Sequence, residues 1–258
     1  MREKTGGLGQ YKFVLKELVI REFKRKYSRS FLGVIWSVLN PLLMMVVLAI
    51  IFTQLLGRDI PFFPLYVLTG LITIQLFTGA TNSAMTTLVD SRNMLIKVKF
   101  PLEIFVLAKV GTGIVDFGFS LVAYAVILAA YRIPMSLYML FYPVVLLCLF
   151  MFVLGISLML SVAYVHFGDL KHLWSVATQM LMWLSAVFWP IEMLSGWQEF
   201  IARSNPMFNF INLSRKALMW QRFPYYTQIL QMVIWSVVML LLGIWVFRRS
   251  KTKILTKI

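Results

Sequence analysis

Cysteine and acidic residues are scarce in this chain of 258 residues. The chain has one cysteine, Cys148, so no intrachain disulfide can form and no cysteine-rich metal site exists. Asp and Glu number 10, and all charged residues together make up 14%. A soluble domain usually carries about a quarter charged residues. The low charge content therefore argues against an ordinary soluble enzyme and against a disordered tail.

Two signature motifs are also absent. No G-x-x-x-x-G-K-[ST] phosphate loop occurs, so any ATP that powers this protein must be held by another chain. A strongly charged stretch of about 30 residues precedes the first long apolar run, which is unlike a cleavable signal peptide. We therefore expect the N-terminus to stay in the cytosol.

Apolar residues dominate instead, at 60% of the chain and a mean hydropathy of +0.81. A membrane-spanning helix needs about 20 apolar residues, and the sequence has six runs of suitable length. They cover residues 31–56, 65–89, 111–131, 141–165, 173–189 and 225–247. This pattern predicts an all-α integral membrane protein with six transmembrane helices in a single domain, residues 1–258.

The basic residues indicate how the protein faces the membrane. A formal net charge of +15 would ordinarily suggest nucleic-acid binding. However, 19 of the 25 Lys and Arg fall on one side of a six-span topology (nine before the first span, four in the 90–110 loop, one in the 166–172 loop and five in the C-terminal tail). The positive-inside rule then places both termini in the cytosol. We interpret the charge as an orientation signal and expect no nucleic-acid partner.

Two segments outside the spans are predicted to form helices at the membrane surface. Residues 10–29 carry an apolar stripe and a basic surface that includes Arg21, Lys24 and Arg25, as an interfacial helix on anionic lipid would. Glu22 interrupts the stripe, and a basic tail that only sets topology is the alternative. Residues 191–223 are too polar to span and too aromatic for a plain loop, which favours short re-entrant or interfacial helices split at Asn205-Pro206. The alternative is an extracellular loop with aromatic anchors.

Polar side chains inside the spans are candidates for a substrate path. Gln75 and Asn82 share one face of the second run, and Gln179 and Trp183 share one face of the fifth. Amides beside aromatic rings suit sugars, although ordinary interhelical packing explains small and polar residues equally well. Asp116 is the only acid in a predicted span, and we expect water or Lys109 to reach it. The spacing His166-x-x-Asp169-x-x-His172 converges poorly, so no metal site is predicted.

The chain resembles the membrane subunits of ABC-2-type exporters for cell-surface polysaccharides and polyol phosphates, the O-antigen and teichoic acid permeases. The segments that carry the resemblance are LVIREFKRKY (18–27), SFLGVIWSVLNP (30–41), NMLIKVKFP (93–101), FGDL (167–170) and Asn205-Pro206. Their order and spacing cover nearly the whole chain. Two residues depart from those common in the family: Glu22 stands where the family often has Asp, and Gly168 where it often has Arg.

The resemblance implies a bacterial cytoplasmic-membrane homodimer that works with two ATPase subunits, on which ATP and Mg would bind, and that exports a lipid-linked glycan. It implies that this chain itself holds no cofactor and is not an enzyme. The implied sites are a coupling surface for the ATPase, a substrate channel that includes Trp36, and an outer gate in residues 191–223. The coupling residues would be Asn93, Met94, Leu95, Lys97, Lys99, Phe100, Pro101, Asp169 and Lys171. The gate residues would be Trp197, Asn205 and Pro206.

Two other functions remain open from the sequence. One is a related exporter that moves a drug or a lipid. The other is an intramembrane enzyme that acts on a lipid, although the sequence lacks a cluster of acids or histidines on one membrane face.

Overall fold

The computed structural model describes residues 8–28, 30–56, 61–95 and 100–257, and this part of the chain is helical with no β-strand. The predicted coupling residues Lys97 and Lys99 lie outside the described residues. The helices are α1 (Leu8–Tyr27), α2 (Ile35–Leu56), α3 (Phe63–Met85), α4 (Thr87–Asp90), α5 (Arg92–Leu95), α6 (Glu103–Ala130), α7 (Tyr142–His166), α8 (Leu170–Leu184), α9 (Trp197–Ser204), α10 (Pro206–Leu218) and α11 (Tyr226–Lys257). Short 3-10 turns cover Leu137–Phe141 and Ile191–Met193.

Among the described residues, five helical segments are long and apolar enough to cross a membrane. They lie in α2, α3, α6, α7 and α11. The all-α membrane fold is thereby confirmed. The fifth predicted span coincides with α8, whose 15 residues extend only about 22 Å at 1.5 Å per residue. Because the hydrocarbon core is about 30 Å thick, the six-span count stays a prediction.

Helix α3 lies at the centre of the bundle. Seventeen of its 23 residues are buried, as expected for a helix that other helices surround on most sides. It packs against α2, α6, α7, α8 and α10. The ring of Phe152 on α7 lies 5.8 Å from Phe77 on α3 and 5.3 Å from Phe210 on α10, measured between ring centroids. Residues 191–223, which include α10, are thus continuous with the core of the spanning helices.

Helices α7 and α11 form the closest helix pair. Gly155 and Gly243 face each other where the two backbones cross. A Cβ atom on Gly155 would clash with the carbonyl group of Met239, and one on Gly243 would clash with the backbone of Gly155. Backbones can approach this closely only where small residues meet.

Helix α6 begins about two turns before the predicted start of the third span, at Glu103 where the apolar run suggested residue 111. The charges of residues 103–109 made this stretch read as a loop. In the structure Lys109 is only 13% exposed and lies against α1, where Glu22 neutralises it. Glu103 lies in the first turn of α6, where a negative charge interacts favourably with the helix dipole.

Candidate functional site

A polar cleft of about 690 Å³ opens between α1, α2, α3 and α6. Its walls carry hydroxyl and amide groups within an otherwise apolar bundle. The polar residues of the spanning helices that line it are Ser37, Asn40, Gln75, Thr78, Ser83, Lys109, Thr112, Asp116 and Ser120. Trp36 on α2 also lines the cleft and is 47% exposed. A polar cavity of this kind must avoid lipid, so it faces water or a hydrophilic ligand.

Glu22 on α1 forms the first charged cluster at the cleft. Its side chain is 7% exposed, and its Oε2 accepts a hydrogen bond from Lys109 Nζ on α6 at 2.6 Å. Arg21 and Arg25 approach the same carboxylate at 3.1 and 3.4 Å. Burial opposes ionisation, yet the hydrogen bond and charge of Lys109, with Arg21 and Arg25, hold the pKa of Glu22 below its usual value. Glu22, which interrupted the apolar stripe in the sequence, therefore helps to hold α1 against α6.

Asp116 on α6 forms the second cluster. Lys26 Nζ donates to its Oδ2 at 2.6 Å and the Tyr27 hydroxyl donates to its Oδ1 at 2.8 Å. Burial opposes the charged ammonium, but the hydrogen bond and charge of Asp116 keep the pKa of Lys26 above its usual value. The sequence suggested that water or Lys109 reaches Asp116; in the structure Lys109 pairs with Glu22, and Lys26 takes the place beside Asp116.

The structure brings only part of the predicted channel set together. Trp36 and Gln75 line the cleft from neighbouring helices, whereas Asn82, Gln179 and Trp183 do not. Asn82 is half-buried on α3, and Gln179 and Trp183 are exposed on α8. Helix α8 is oriented by Trp174, whose Nε1 donates to Thr81 Oγ1 at 3.1 Å and so turns the opposite face outward. These exposed α8 residues form a separate surface.

The described part of the predicted coupling surface contacts α1. Asn93, Met94 and Leu95 lie on α5, and Met94 Sδ accepts a hydrogen bond from Arg21 Nη1 at 3.0 Å. The Phe100 ring packs edge-on against Tyr11, with centroids 6.4 Å apart.

The other predicted coupling and helix residues lie near helix starts or on exposed surface. Pro101 lies two residues before α6 begins. Asp169 and Lys171 are exposed at the start of α8, and Lys24 is exposed on α1. Asp169, Lys171 and Lys24 are therefore charged side chains on the surface of the bundle.

The outer segment consists of two short helices that meet at Asn205. The Asn205 side chain accepts a hydrogen bond from Met207 N at 2.9 Å and thereby caps α10. Its amide donates to Ser185 Oγ at 2.9 Å, which ties the cap to the end of α8. Pro206 is the first residue of α10, a position where its missing N–H costs nothing. Trp197 begins α9 and is 71% exposed.

Arg215 on α10 is the functional candidate that the sequence reasoning missed. It lies in residues 191–223, which were predicted to form helices at the membrane surface, but its side chain is 1% exposed. Its guanidinium donates to the carbonyl oxygens of Ala186 at 2.9 Å, Val187 at 3.0 Å and Tyr66 at 3.1 Å. Its Cζ lies 3.3 Å from the centre of the Tyr66 ring. One buried cation therefore joins α10, the start of α3 and the turn after α8.

A signal for this placement existed in the sequence. Arg215 comes four residues after Ile211 and three before Leu218, so it lies on the apolar face of α10. In the structure Gly70 leaves room for this side chain, because a Cβ there would come within 3.0 Å of Arg215 Nη2 and 2.9 Å of Val187 Cγ1. The spacing on α10 does not identify the partner carbonyls, which come from distant parts of the chain.

Comparison with known proteins agrees with this architecture. Residues 14–219 match the ABC-2 type transporter family. The chain is 31% identical over 238 residues to the O-antigen export system permease protein RfbA of Myxococcus xanthus, covering 90% of each chain. It is 22% identical to the polysialic acid transport protein KpsM of Escherichia coli, over 97% of this chain and 98% of that one. It is 24% identical to the capsule polysaccharide export inner-membrane protein CtrC of Neisseria meningitidis serogroup A, over 92% and 91%. The chain, a multi-pass membrane protein, therefore belongs to the ABC-2 type transporter family.

Proposed function

We propose that this chain is the permease subunit of an ATP-driven exporter that moves a lipid-linked cell-surface polysaccharide, such as O-antigen, across the bacterial cytoplasmic membrane. The observation that carries the proposal is the similarity over 90% of both chains to an O-antigen export permease. The polar cleft within the bundle supports it, because a glycan needs a hydrophilic path between apolar helices.

ATP hydrolysis takes place on two separate ATPase subunits, where ATP and Mg bind, and two copies of the permease form the channel. The sequence supports a separate ATPase because it contains no phosphate loop. Both termini face the cytosol, where the ATPase subunits dock. The docking surface comprises α5, the segment up to Pro101 and the exposed start of α8 at Asp169 and Lys171.

Helix α1 transmits the ATPase motion to the cleft. On one side it contacts the docking segment, through Arg21 to Met94 and Tyr11 to Phe100. On the other side Glu22 and Lys26 hold it to α6. A displacement of the docking segment therefore moves α1, and α1 shifts one wall of the cleft.

At the outer face, α9 forms the movable part of the gate and α10 its fixed part. Ten residues of α10 are buried, and Arg215 joins it to α3. In α9 only Ala202 is buried, while Trp197 and Phe200 are 71% and 73% exposed. A helix with so few buried contacts can shift at low cost.

Deletion of the gene in its native bacterium tests the proposal. We expect surface polysaccharide to disappear and lipid-linked glycan to accumulate inside the cell, and a plasmid copy to restore export. Charge reversal at Lys97 and Lys99 in that copy should leave the protein in the membrane but separate ATP hydrolysis from export. Normal surface glycan in the deletion strain would refute the proposal. A tagged permease that captures no ATPase subunit would refute the two-subunit arrangement.

A further inference from the structure

We propose that the cleft between α1, α2, α3 and α6 is a carbohydrate subsite that holds an uncharged, hydroxyl-rich unit of the exported chain. This inference rests on the proposed function and makes it more specific. A cleft lined from α1 and α6 differs from the set of pore residues that the sequence predicted, since Gln179 and Trp183 are not part of it.

The walls of the cleft present unused hydrogen-bonding groups. Among the described residues, the side-chain amides of Gln75 and Asn40 have no protein partner, so each offers both donors and an acceptor. The hydroxyls of Ser37, Thr112 and Ser120 donate to helix carbonyls and keep their oxygen lone pairs as acceptors. Sugar hydroxyls are both donors and acceptors and match such a mixed lining.

Trp36 supplies an apolar surface at the edge of this polar lining. It is 47% exposed and contacts no other ring among the described residues. A free indole face beside amides can pack against the C–H face of a sugar ring, while its N–H remains available for a hydrogen bond. The combination favours a saccharide over a lipid tail, for which the polar walls would be unsuitable.

The charges of the cleft argue against a phosphate group as the occupant. Lys26 and Lys109 are each bound at 2.6 Å to a carboxylate, Asp116 and Glu22. Arg25 lies 3.4 Å from Glu22. An entering phosphate would have to take these cations from their partners and leave carboxylates exposed to its own negative charge. An uncharged ligand leaves both ion pairs intact and can still donate to the remaining lone pairs of Asp116.

The volume of the cleft agrees with this assignment. At about 690 Å³ it falls within the range of about 300–1,000 Å³ that is typical of small-molecule sites. It therefore holds a short saccharide and not a whole polymer. In the transporter it would engage one part of the chain while the remainder stays outside.

Cysteine protection in the purified transporter with its ATPase subunits tests the subsite. Ser83→Cys, placed in a Cys148→Ser background, provides a thiol on the cleft wall, and Thr78→Cys is a second position if the first does not fold. Chitobiose and maltose serve as neutral probes and inorganic pyrophosphate as the anionic probe. We expect a neutral disaccharide at ten times its Kd to slow maleimide labelling about tenfold. The matched control Gln179→Cys on α8 should be labelled at an unchanged rate, and adding Trp36→Ala should remove the protection.

Each other outcome overturns the inference. Protection by pyrophosphate alone would assign the cleft to an anionic group. Equal slowing at Gln179→Cys would show a non-specific effect, and protection that survives Trp36→Ala would remove the aromatic face from the site. Absence of protection in a transporter that still exports polysaccharide refutes the subsite and leaves the proposed function intact. Failure of the proposed function is detected separately, as normal surface glycan in the deletion strain.

Discussion

Replacement of Lys109 by Met tests whether the ion pair with Glu22 holds α1 against the bundle. The substitution keeps the length and apolar stem of the side chain but removes the ammonium that lies 2.6 Å from Glu22. Glu22 is 7% exposed, so it loses its only well-buried counter-ion and cannot recover hydration without moving. We expect α1 to separate from α6 more often than in the unaltered protein.

The expected size follows from the burial of the pair. Removing one partner of a buried ion pair costs about 3–5 kcal/mol. Arg21 and Arg25 still reach Glu22, but they are 47% and 64% exposed and screened by solvent. We therefore take the lower end, about 3 kcal/mol, which corresponds to about a 100-fold rise in the open population of α1.

Hydrogen exchange of the transporter in lipid nanodiscs measures this population. Peptides from α1 should exchange about 100-fold faster in Lys109→Met than in the unaltered protein, since exchange follows local opening. Peptides from α7 and α11 provide the internal control, because neither helix contacts the pair. Packing of Leu18 and the stacking of Phe23 on Phe119 should keep α1 folded in both proteins.

A double substitution decides whether the charge itself is responsible. In Glu22→Gln/Lys109→Met no buried charge is left unpaired, so most of the lost protection should return. If the double variant exchanges as fast as Lys109→Met or faster, the loss came from side-chain packing and the electrostatic argument is refuted. Unchanged exchange in Lys109→Met alone would refute it as well.

Three further predictions use the same preparation. The lowered pKa of Glu22 means that its pair stabilises α1 at neutral pH and is lost as the pH falls through that lowered value, so the distance between spin labels on α1 and α6 should increase only in acid. Arg215→Met removes the guanidinium donor from three carbonyl groups, of which Ala186 keeps the hydrogen bond from the Tyr66 hydroxyl at 3.3 Å. The substitution should lower the free energy of unfolding by about 3 kcal/mol or more, and the unfolding temperature should fall far below that of Lys216→Met on the same helix. Gly155→Ala should separate α7 from α11 and reduce the folded yield, whereas Gly118→Ala, which meets no atom within 4 Å, should be neutral or slightly stabilising. An Arg215→Met protein as stable as Lys216→Met, or normal yield of Gly155→Ala, would contradict the respective argument.

The helical fold was predictable because lipid imposes a simple rule on sequence. Backbone groups inside a bilayer must pair within their own helix, so long apolar runs translate directly into helices. Capping preferences located the break at Asn205-Pro206, since proline starts a helix well and asparagine caps one. Hydropathy failed to predict the end of α8, because the apolar run continues to residue 189 but the helix ends at Leu184. Tertiary contacts cause that end, because the Asn205 amide and the Arg215 guanidinium bind groups in residues 184–187.

The cleft was less predictable because pairing partners lie far apart in the sequence. Helical spacing placed Gln75 on a polar face correctly, but it gave no information on which helix faces it. Glu22 and Lys109 are separated by 87 positions, and Arg215 and Tyr66 by 149. Charged residues read one at a time look like surface groups, and only the partner reveals that they are buried. The sequence alone therefore did not establish that Arg215 is buried, and it did not identify Lys26 as the lysine that binds Asp116.

The two ends of the bundle are held by different kinds of interaction, and this difference bears on how the transporter works. At the outer end Arg215 is wholly enclosed and bonded to backbone carbonyls, which cannot exchange it for solvent without unfolding the turn. At the other end α1 is held by the largely buried pair of Glu22 with Lys109 and also by Lys26 and Arg25, which are 53% and 64% exposed and can exchange protein partners for water. A contact of the second kind can break and re-form during a transport cycle, whereas one of the first kind cannot. Under the proposed function, motion driven by ATP would therefore enter through α1 and the cleft, and at the opposite end of the bundle it would be confined to α9.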